Sequence, residues 1–518
     1  SMRAAQAIGL ILLLTEACRD ASTPWQPAQG SDATGVVPGQ YIVVFRDTVA
    51  DPEGLAQALV QAQGGTRLHT YTSALKGFAA RLSDPAVAAL RQNPRVAYVE
   101  PDQKGSVAGP QALQRIDQRA LPRAGTAMSA SANPLVAAAP SAPTTQQMDA
   151  QGNPWGLDRI DQRTLPFSGT YTYTSTGAGV HVYIIDTGIW TAHPEFQGRA
   201  DNVFDFAGGD GTDCFGSGTA VAGVVGAATY GVAKGVFLHG VRVYDCNGAG
   251  FRSDLIAGVD WVTAHHASPA VANIAVSLDP DPAFTTAVRS LWSSGVFVTT
   301  TAANHNADAC LEAGGASGVF TVAASTAYDT KAAFSDWGTC VQIYAPGEYI
   351  QSTWLGGQTN IVSGTSYAAP FVAGVAATYK ATVGDVPSDA VASWILNNAT
   401  AGVITENTAG TPNLLLYSAA VPLPAPVANF TFSCAGLACS FDASSSTAQA
   451  TATYTWHWGD GTPTGSGTTA THSYAVAGTY TVTLTVTDAG GTSKTPQSVT
   501  VSPLNQPPVA SFTTTCSL

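Results

Sequence analysis

The sequence predicts an α/β protein: a mostly parallel sheet covered by helices, preceded by a small α+β unit and followed by an all-β sandwich. Three observations carry this expectation. Between residues 153 and 420, short and nearly continuous apolar runs alternate with helical patterns, as expected for strands buried on both faces. Residues 37–107 read strand, helix, strand, helix, strand. From 427 to 502 the period changes to two, with Thr, Val, Tyr and Leu alternating between Gly turns.

Residues 1–26 read as an export signal, in which Arg3 precedes a short apolar run that reaches Leu14. Ala17-Cys18 fits either an ordinary cleavage region or a lipoprotein-type site acylated at Cys18. The expected location is therefore extracellular, free or lipid-anchored at the cell surface. In the first unit Tyr41–Phe45, Gly77–Leu82 and Val96–Pro101 are strand-like, while Pro52–Ala62 and Pro85–Gln92 are helical. Residues 108–152, rich in Ala, Ser, Pro and Gln, read as an exposed linker. Within it Leu113–Thr126 repeats Leu157–Thr170 at ten of fourteen positions, which a local duplication explains.

In the large domain the apolar runs are Val180–Ile185, Val236–Val243, Val271–Leu278, Val296–Thr300, Val319–Ala323 and Val341–Tyr344. Helical patterns fall at Gly218–Ala228, Ser253–His265, Pro282–Ser293 and Ser366–Lys380. A proline-rich joint, Val421–Pro426, leads into the sandwich, and residues 505–518 resemble the opening of a second one, cut short.

Composition narrows the partners. The net charge is −13, from 22 basic and 35 acidic side chains. Nucleic acid and anionic lipid both require basic patches, so neither is expected. No run of about 18 apolar residues occurs, so no membrane span is expected. Export makes the cysteines informative. With Cys18 set aside and Cys516 left over, neighbours pair as Cys214–Cys246, Cys310–Cys340 and Cys434–Cys439.

In parallel-sheet domains reactive groups sit at the carboxyl ends of strands. Val182-Tyr-Ile-Ile-Asp186 places a carboxylate there, Ala302-Ala-Asn304 follows another strand, and Ser363-Gly-Thr-Ser366 places a serine at a helix start. The N–H groups of that helix start point at developing negative charge, and Asn304 supplies a second donor. Plainer roles exist for each: Asp186 ending a strand, Ser366 beginning a helix, Asn304 forming a turn.

Two motifs make the resemblance specific. Ile185-Asp-Thr-Gly-Ile189 and Gly364-Thr-Ser-Tyr-Ala-Ala-Pro370, in that order, resemble the subtilases, in particular secreted proteinase K-like and aqualysin-like serine endopeptidases, over residues 153–415. The resemblance implies a subtilisin-like three-layer fold, a polypeptide substrate and chemistry without a cofactor. It makes Asp186 the triad acid, Ser366 the nucleophile and Asn304 the oxyanion donor. It makes residues 37–107 a propeptide that inhibits and helps fold its own enzyme, and the spacings 214–246 and 310–340 fit it. Residues 427–502 are similar to a PKD domain through Trp456-His-Trp-Gly-Asp-Gly461, and such domains help proteases engage insoluble or polymeric substrates.

One position breaks the pattern. Subtilases carry Gly-His-Gly-Thr-His-Val-Ala-Gly where this chain has Gly216-Ser-Gly-Thr-Ala-Val-Ala-Gly223. Ser217 thus stands in the place of the general-base histidine, and Ala220 in that of the second histidine. A serine hydroxyl takes no proton from Ser366 near neutral pH, and it is too short to span from Asp186 to the nucleophile. Of His181, His193, His239, His265, His266 and His305, only His305, next to Asn304, has a claim to substitute.

Other changes surround the cleft. Ser277-Leu-Asp-Pro-Asp-Pro282 replaces a glycine-rich run and loses backbone donors at its prolines. Ala303 stands where Gly usually precedes the oxyanion Asn, and Gln342 replaces an Asp that commonly helps hold calcium. Two readings follow: an exported subtilase precursor with impaired hydrolysis, and a non-catalytic pseudoprotease that binds polypeptide through its cleft and PKD module.

Overall fold

The computed structural model of the protein describes residues 35–107, 143–275, 281–311, 315–316, 318–418, 425–448, 452–488, 490–503, 511 and 513. The expected export signal with Cys18, the Leu113–Thr126 repeat, Ser277–Pro280 and Cys516 lie outside the described residues.

The first unit comprises β1 (Val36–Phe45), α1 (Pro52–Ala62), β2 (Thr66–Tyr71), β3 (Gly77–Arg81), α2 (Asp84–Arg91) and β4 (Val96–Ser106). Asp51 caps α1 by accepting from Gly54 N at 2.8 Å, and Pro52 presets the first helical turn. Val43, Phe78, Leu59 and Leu90 bring both helices and the sheet into one core. Strand β2 was not anticipated: TRLHTY is polar along most of its length and only Tyr71 is fully buried.

The central domain begins inside the stretch expected to be linker. β5 (Thr144–Gln147) pairs with β6 (Thr170–Tyr173), with the buried helix α3 (Trp155–Ile160) between them. Then come β7 (His181–Asp186), β8 (Ala200–Asp205), α4 (Ser217–Gly226), β9 (Phe237–Arg242), β10 (Ala249–Phe251), α5 (Arg252–His265), β11 (Ala270–Ile274) and α6 (Pro282–Ser293). The domain continues with β12 (Phe297–Thr301), β13 (Phe320–Ser325), β14 (Ile343–Pro346), β15 (Ile350–Thr353), β16 (Thr359–Val362), α7 (Thr365–Val383), α8 (Ser388–Asn398), β17 (Thr400–Ala401) and β18 (Leu414–Leu415).

Nine of these strands form one sheet in the order β17-β18-β14-β13-β12-β11-β7-β9-β8, parallel except for the β17–β18 pair. Alternate residues of β7 feed opposite faces. Val182 and Ile184 join one core with α4 and α7, while Tyr183 and Ile185 join another with α5 and α6. The result is three layers around a central strand that ends at Asp186.

The last unit holds β19 (Thr431–Ala435), β20 (Ala438–Asp442), β21 (Thr453–His457), β22 (Gly465–Ser466), β23 (Thr469–Ser473), β24 (Gly478–Asp488) and β25 (Gly491–Val501). Two sheets, β19-β20-β23 and β22-β21-β24-β25, close over Phe430, Phe441, Trp456 and Trp458. His457 is exposed between the two buried tryptophans, as strand alternation requires.

The first unit docks on the second. β4 continues past Pro101 and pairs antiparallel with β10, Ser106 opposite Ala249 and Lys104 opposite Phe251. Asp102 accepts from Ser253 N at 3.1 Å, at the N-terminus of α5. In the reverse direction Asp260 of α5 accepts from the N–H groups of Thr72, Ser73 and Ala74 at 3.1, 2.8 and 2.7 Å. Among the described residues no helix is long and apolar enough to cross a membrane.

Disulfides join Cys214–Cys246, Cys310–Cys340 and Cys434–Cys439. The first closes a loop with a sequence separation of 32 that contains α4. Paired Cys214→Ser and Cys246→Ser substitution is expected to cost the domain about 3 to 4 kcal/mol by loop entropy, measured by urea denaturation with and without the bridge.

Candidate active site

Asp186 is fully buried at the end of β7, between β9 and β11. Its Oδ1 accepts from Thr187 N at 2.6 Å, and its Oδ2 accepts from Ser217 Oγ at 3.0 Å. Ser217 is the first residue of α4, and the glycines on both sides explain how it comes so close. Gly216 has φ 110°, where a Cβ would lie 2.4 Å from the Trp354 ring. A Cβ on Gly218 would lie 2.0 Å from the Gly188 carbonyl oxygen. Asp213 fastens this turn: Oδ1 accepts from Gly216 N at 2.9 Å and Thr187 Oγ1 at 2.8 Å, and Oδ2 from Thr219 N at 2.9 Å.

Burial dominates the electrostatics of Asp186. Desolvation, aided by the nearby Asp213 charge, pushes its carboxyl up to about 8, against the opposing hydrogen bonds from Thr187 and Ser217. No cation touches it among the described residues.

Ser366 is the second residue of α7 and nearly buried, and its Oγ makes no hydrogen bond among the described residues. Gly364 precedes the helix at φ 147°. Asn304, in the loop after β12, accepts through Oδ1 from Thr365 N at 2.8 Å and Thr365 Oγ1 at 3.0 Å. This grip on the acceptor end leaves the Nδ2 hydrogens uncommitted beside Gly364 and the start of α7. Buried Asp336, accepting from His305 N and Ala307 N at 2.6 and 3.0 Å, anchors the same loop. The structure thus brings Asp186 together with Ser217, and Asn304 together with the first turn of α7.

Among the described residues, none of the six histidines bonds Asp186 or Ser366. His193 uses both ring nitrogens, on Gln358 O and Glu195 N. His181 pairs with His239, which also meets Asp201. His265 and His266 bond carbonyls of their own helix. His305 is 60% exposed and lies 3.9 Å from Asp336.

Ala303 holds φ 80°, a left-handed conformation that suits glycine, at a cost of about 1 to 2 kcal/mol for a residue with a Cβ. The Gln342 side-chain oxygen accepts from Thr321 N. Asp213, Asp336 and Tyr367, all buried around this site, were not singled out from the sequence. Tyr367 sits inside the Gly364–Pro370 motif but its contacts lie across the fold, as do those of Asp336, while Asp213 holds its own turn to Thr187.

The family model for subtilases matches residues 177–416, a span that contains β7, α4, β12 and α7. An extracellular serine proteinase of Thermus sp. (strain Rt41A) is 41% identical over 441 residues, covering 79% of this chain and 97% of that protein. The chain belongs to the subtilase family. Alkaline serine exoprotease A of Vibrio alginolyticus is also 41% identical, over 73% of this subtilase and 67% of its own length. The crystal structure of a cold-adapted subtilisin-like serine proteinase matches with TM-score 0.50 and 42% identity, covering 51% of this subtilase and 97% of that chain. The models for peptidase inhibitor I9 and the PKD domain match residues 40–108 and 423–502.

The raised carboxyl sets a pH dependence. A group whose folded-state value is about 8, against about 4 unfolded, stabilises the fold fully below pH 4 and loses that contribution as pH rises through 8. Asp161, pushed up to about 7 mainly by burial, acts in the same direction. Stability measured by urea denaturation should fall between pH 4 and 8, and Asp186→Asn should flatten that slope.

Proposed function

We propose that this subtilase is the precursor of an exported serine endopeptidase whose peptide-bond hydrolysis is strongly impaired. In this reading Ser366 Oγ forms the bond to the scissile carbonyl carbon. The Ser366 N–H and Asn304 Nδ2 hold the resulting oxyanion, and the C–N bond then breaks. The proton on Ser366 must pass to the departing amine by way of a base. Asp186 is placed to orient such a base, and Ser217 holds the base's position.

The observation that carries the reading is the Ser217 Oγ–Asp186 Oδ2 bond of 3.0 Å. The side chain at 217 stops at the carboxylate and adds no proton acceptor. Loss of the triad histidine alone costs a subtilase about 10⁶-fold in turnover, while oxyanion stabilisation and binding leave roughly 10³ to 10⁴ over water. Calcium enters no step of this mechanism.

The pairing of β4 with β10 supports an edge that accepts extended polypeptide, with residues 40–108 as the tethered inhibitor. It equally favours a second reading, a pseudoprotease that holds polypeptide in this cleft and through its PKD unit without cutting. The relatives' names and the leading residues support an extracellular location, with a lipid anchor at Cys18 as the variant form.

Self-processing tests the reading. Mass spectrometry of the purified full-length chain should find the 108–152 segment uncut after prolonged incubation, and casein should remain intact. A mature chain starting near residue 150, formed with host proteases excluded, would sink it.

A further inference from the structure

Resting on that reading, we propose that Tyr367 fills the volume an imidazole at position 217 requires, so that Ser217 and Tyr367 are a matched pair. Tyr367 follows Ser366 on α7 and is only 1% exposed. It belongs to the core cluster that holds α4 and α7 together, and its ring lies 3.6 Å from the point where a Gly364 side chain would begin. The hydroxyl end points away from that core toward polar groups, with Ser217 beside it and the Asp186 and Asp213 carboxyls close enough to act on it.

Among the described residues the hydroxyl closes no hydrogen bond of good geometry, and Ser217 is the side chain near enough to share a strained one. Ser217 gives its proton to Asp186, which leaves only its oxygen lone pairs to meet the phenol. A phenol so poorly partnered in a dry core gains little from its hydroxyl, and its place there is explained by the bulk of the ring. A histidine at 217 would start from the same Cβ as Ser217 and carry a ring past the Oγ position. That ring would have to lie against Asp186 and reach toward Ser366. The end of Tyr367 already lies against Ser217 in that region, and a core packed to this density has no spare room for the four heavy atoms an imidazole adds. Restoring the base therefore takes two changes rather than one.

Full-length parent, Ser217→His, Tyr367→Ala and the double variant decide the matter, with Tyr367→Leu replacing Ala if the latter fails to fold. The first readout is the rate of cleavage within residues 108–152 in the chain's own propeptide, followed by mass spectrometry at two protein concentrations. Ser217→His should stay within about tenfold of the parent, and the double variant should exceed it by about 100-fold or more. The second is rescue by free imidazole, which should accelerate Tyr367→Ala and leave the parent unchanged, because only the former has a cavity. The third is Tm: Ser217→His should melt lower, and the second substitution should lower it less than it lowers the parent.

Ser217→His cutting as fast as the double variant overturns the proposal, and so does imidazole rescue of the parent equal to that of Tyr367→Ala. If no variant cuts, the protease reading fails and Tm alone decides this one. Non-additive shifts keep the matched pair; additive shifts dismiss it.

Discussion

Two glycines bracket position 217, and that local constraint governs the site. Gly216 turns in a left-handed conformation beneath Trp354, and Gly218 lies directly against the Gly188 carbonyl. Only with both in place does the first turn of α4 come down onto the end of β7. Asp213 then locks the turn by accepting from backbone and hydroxyl donors on both segments. The framework brings the side chain at 217 against Asp186. With serine there, the contact is a single hydroxyl-to-carboxyl bond, and the buried acid has no positive partner among the described residues. Its raised proton affinity follows from that environment.

The same framework keeps the rest of the machinery recognisable. Asn304 still grips Thr365, the start of α7 still presents Ser366, and Asp336 still anchors the loop between them. Among the described residues, Asn304 and the start of α7 stand together on one side of Ser366, while Ser217, and no histidine, meets Asp186 on the other.

Much of this was legible in the sequence because the informative residues are contiguous. Asp186 and Ser366 sit in short motifs whose strand-end and helix-start placement follows from local pattern, and Ser217 and Ala220 stand out against an otherwise matching run. The parallel sheet was legible because its strands are apolar on both faces. β2 and β5 were not, since TRLHTY and TTQQ are polar edge segments whose pairing is decided by distant partners. α8 was missed because half of its surface faces solvent and its apolar stripe is short. Asp213, Asp336 and Tyr367 matter through contacts made across the fold. The direction of the Tyr367 ring depends on α7 packing against α4, which no single window of sequence contains.

The strand pair formed by β4 and β10 has a further consequence for what this cleft can meet. A ligand joined to its receptor by one chain competes at an effective concentration in the millimolar range for short flexible connections. As long as the backbone between them is whole, any outside polypeptide must displace a neighbour that never diffuses away. Access to the groove is then set by whatever severs or loosens that connection.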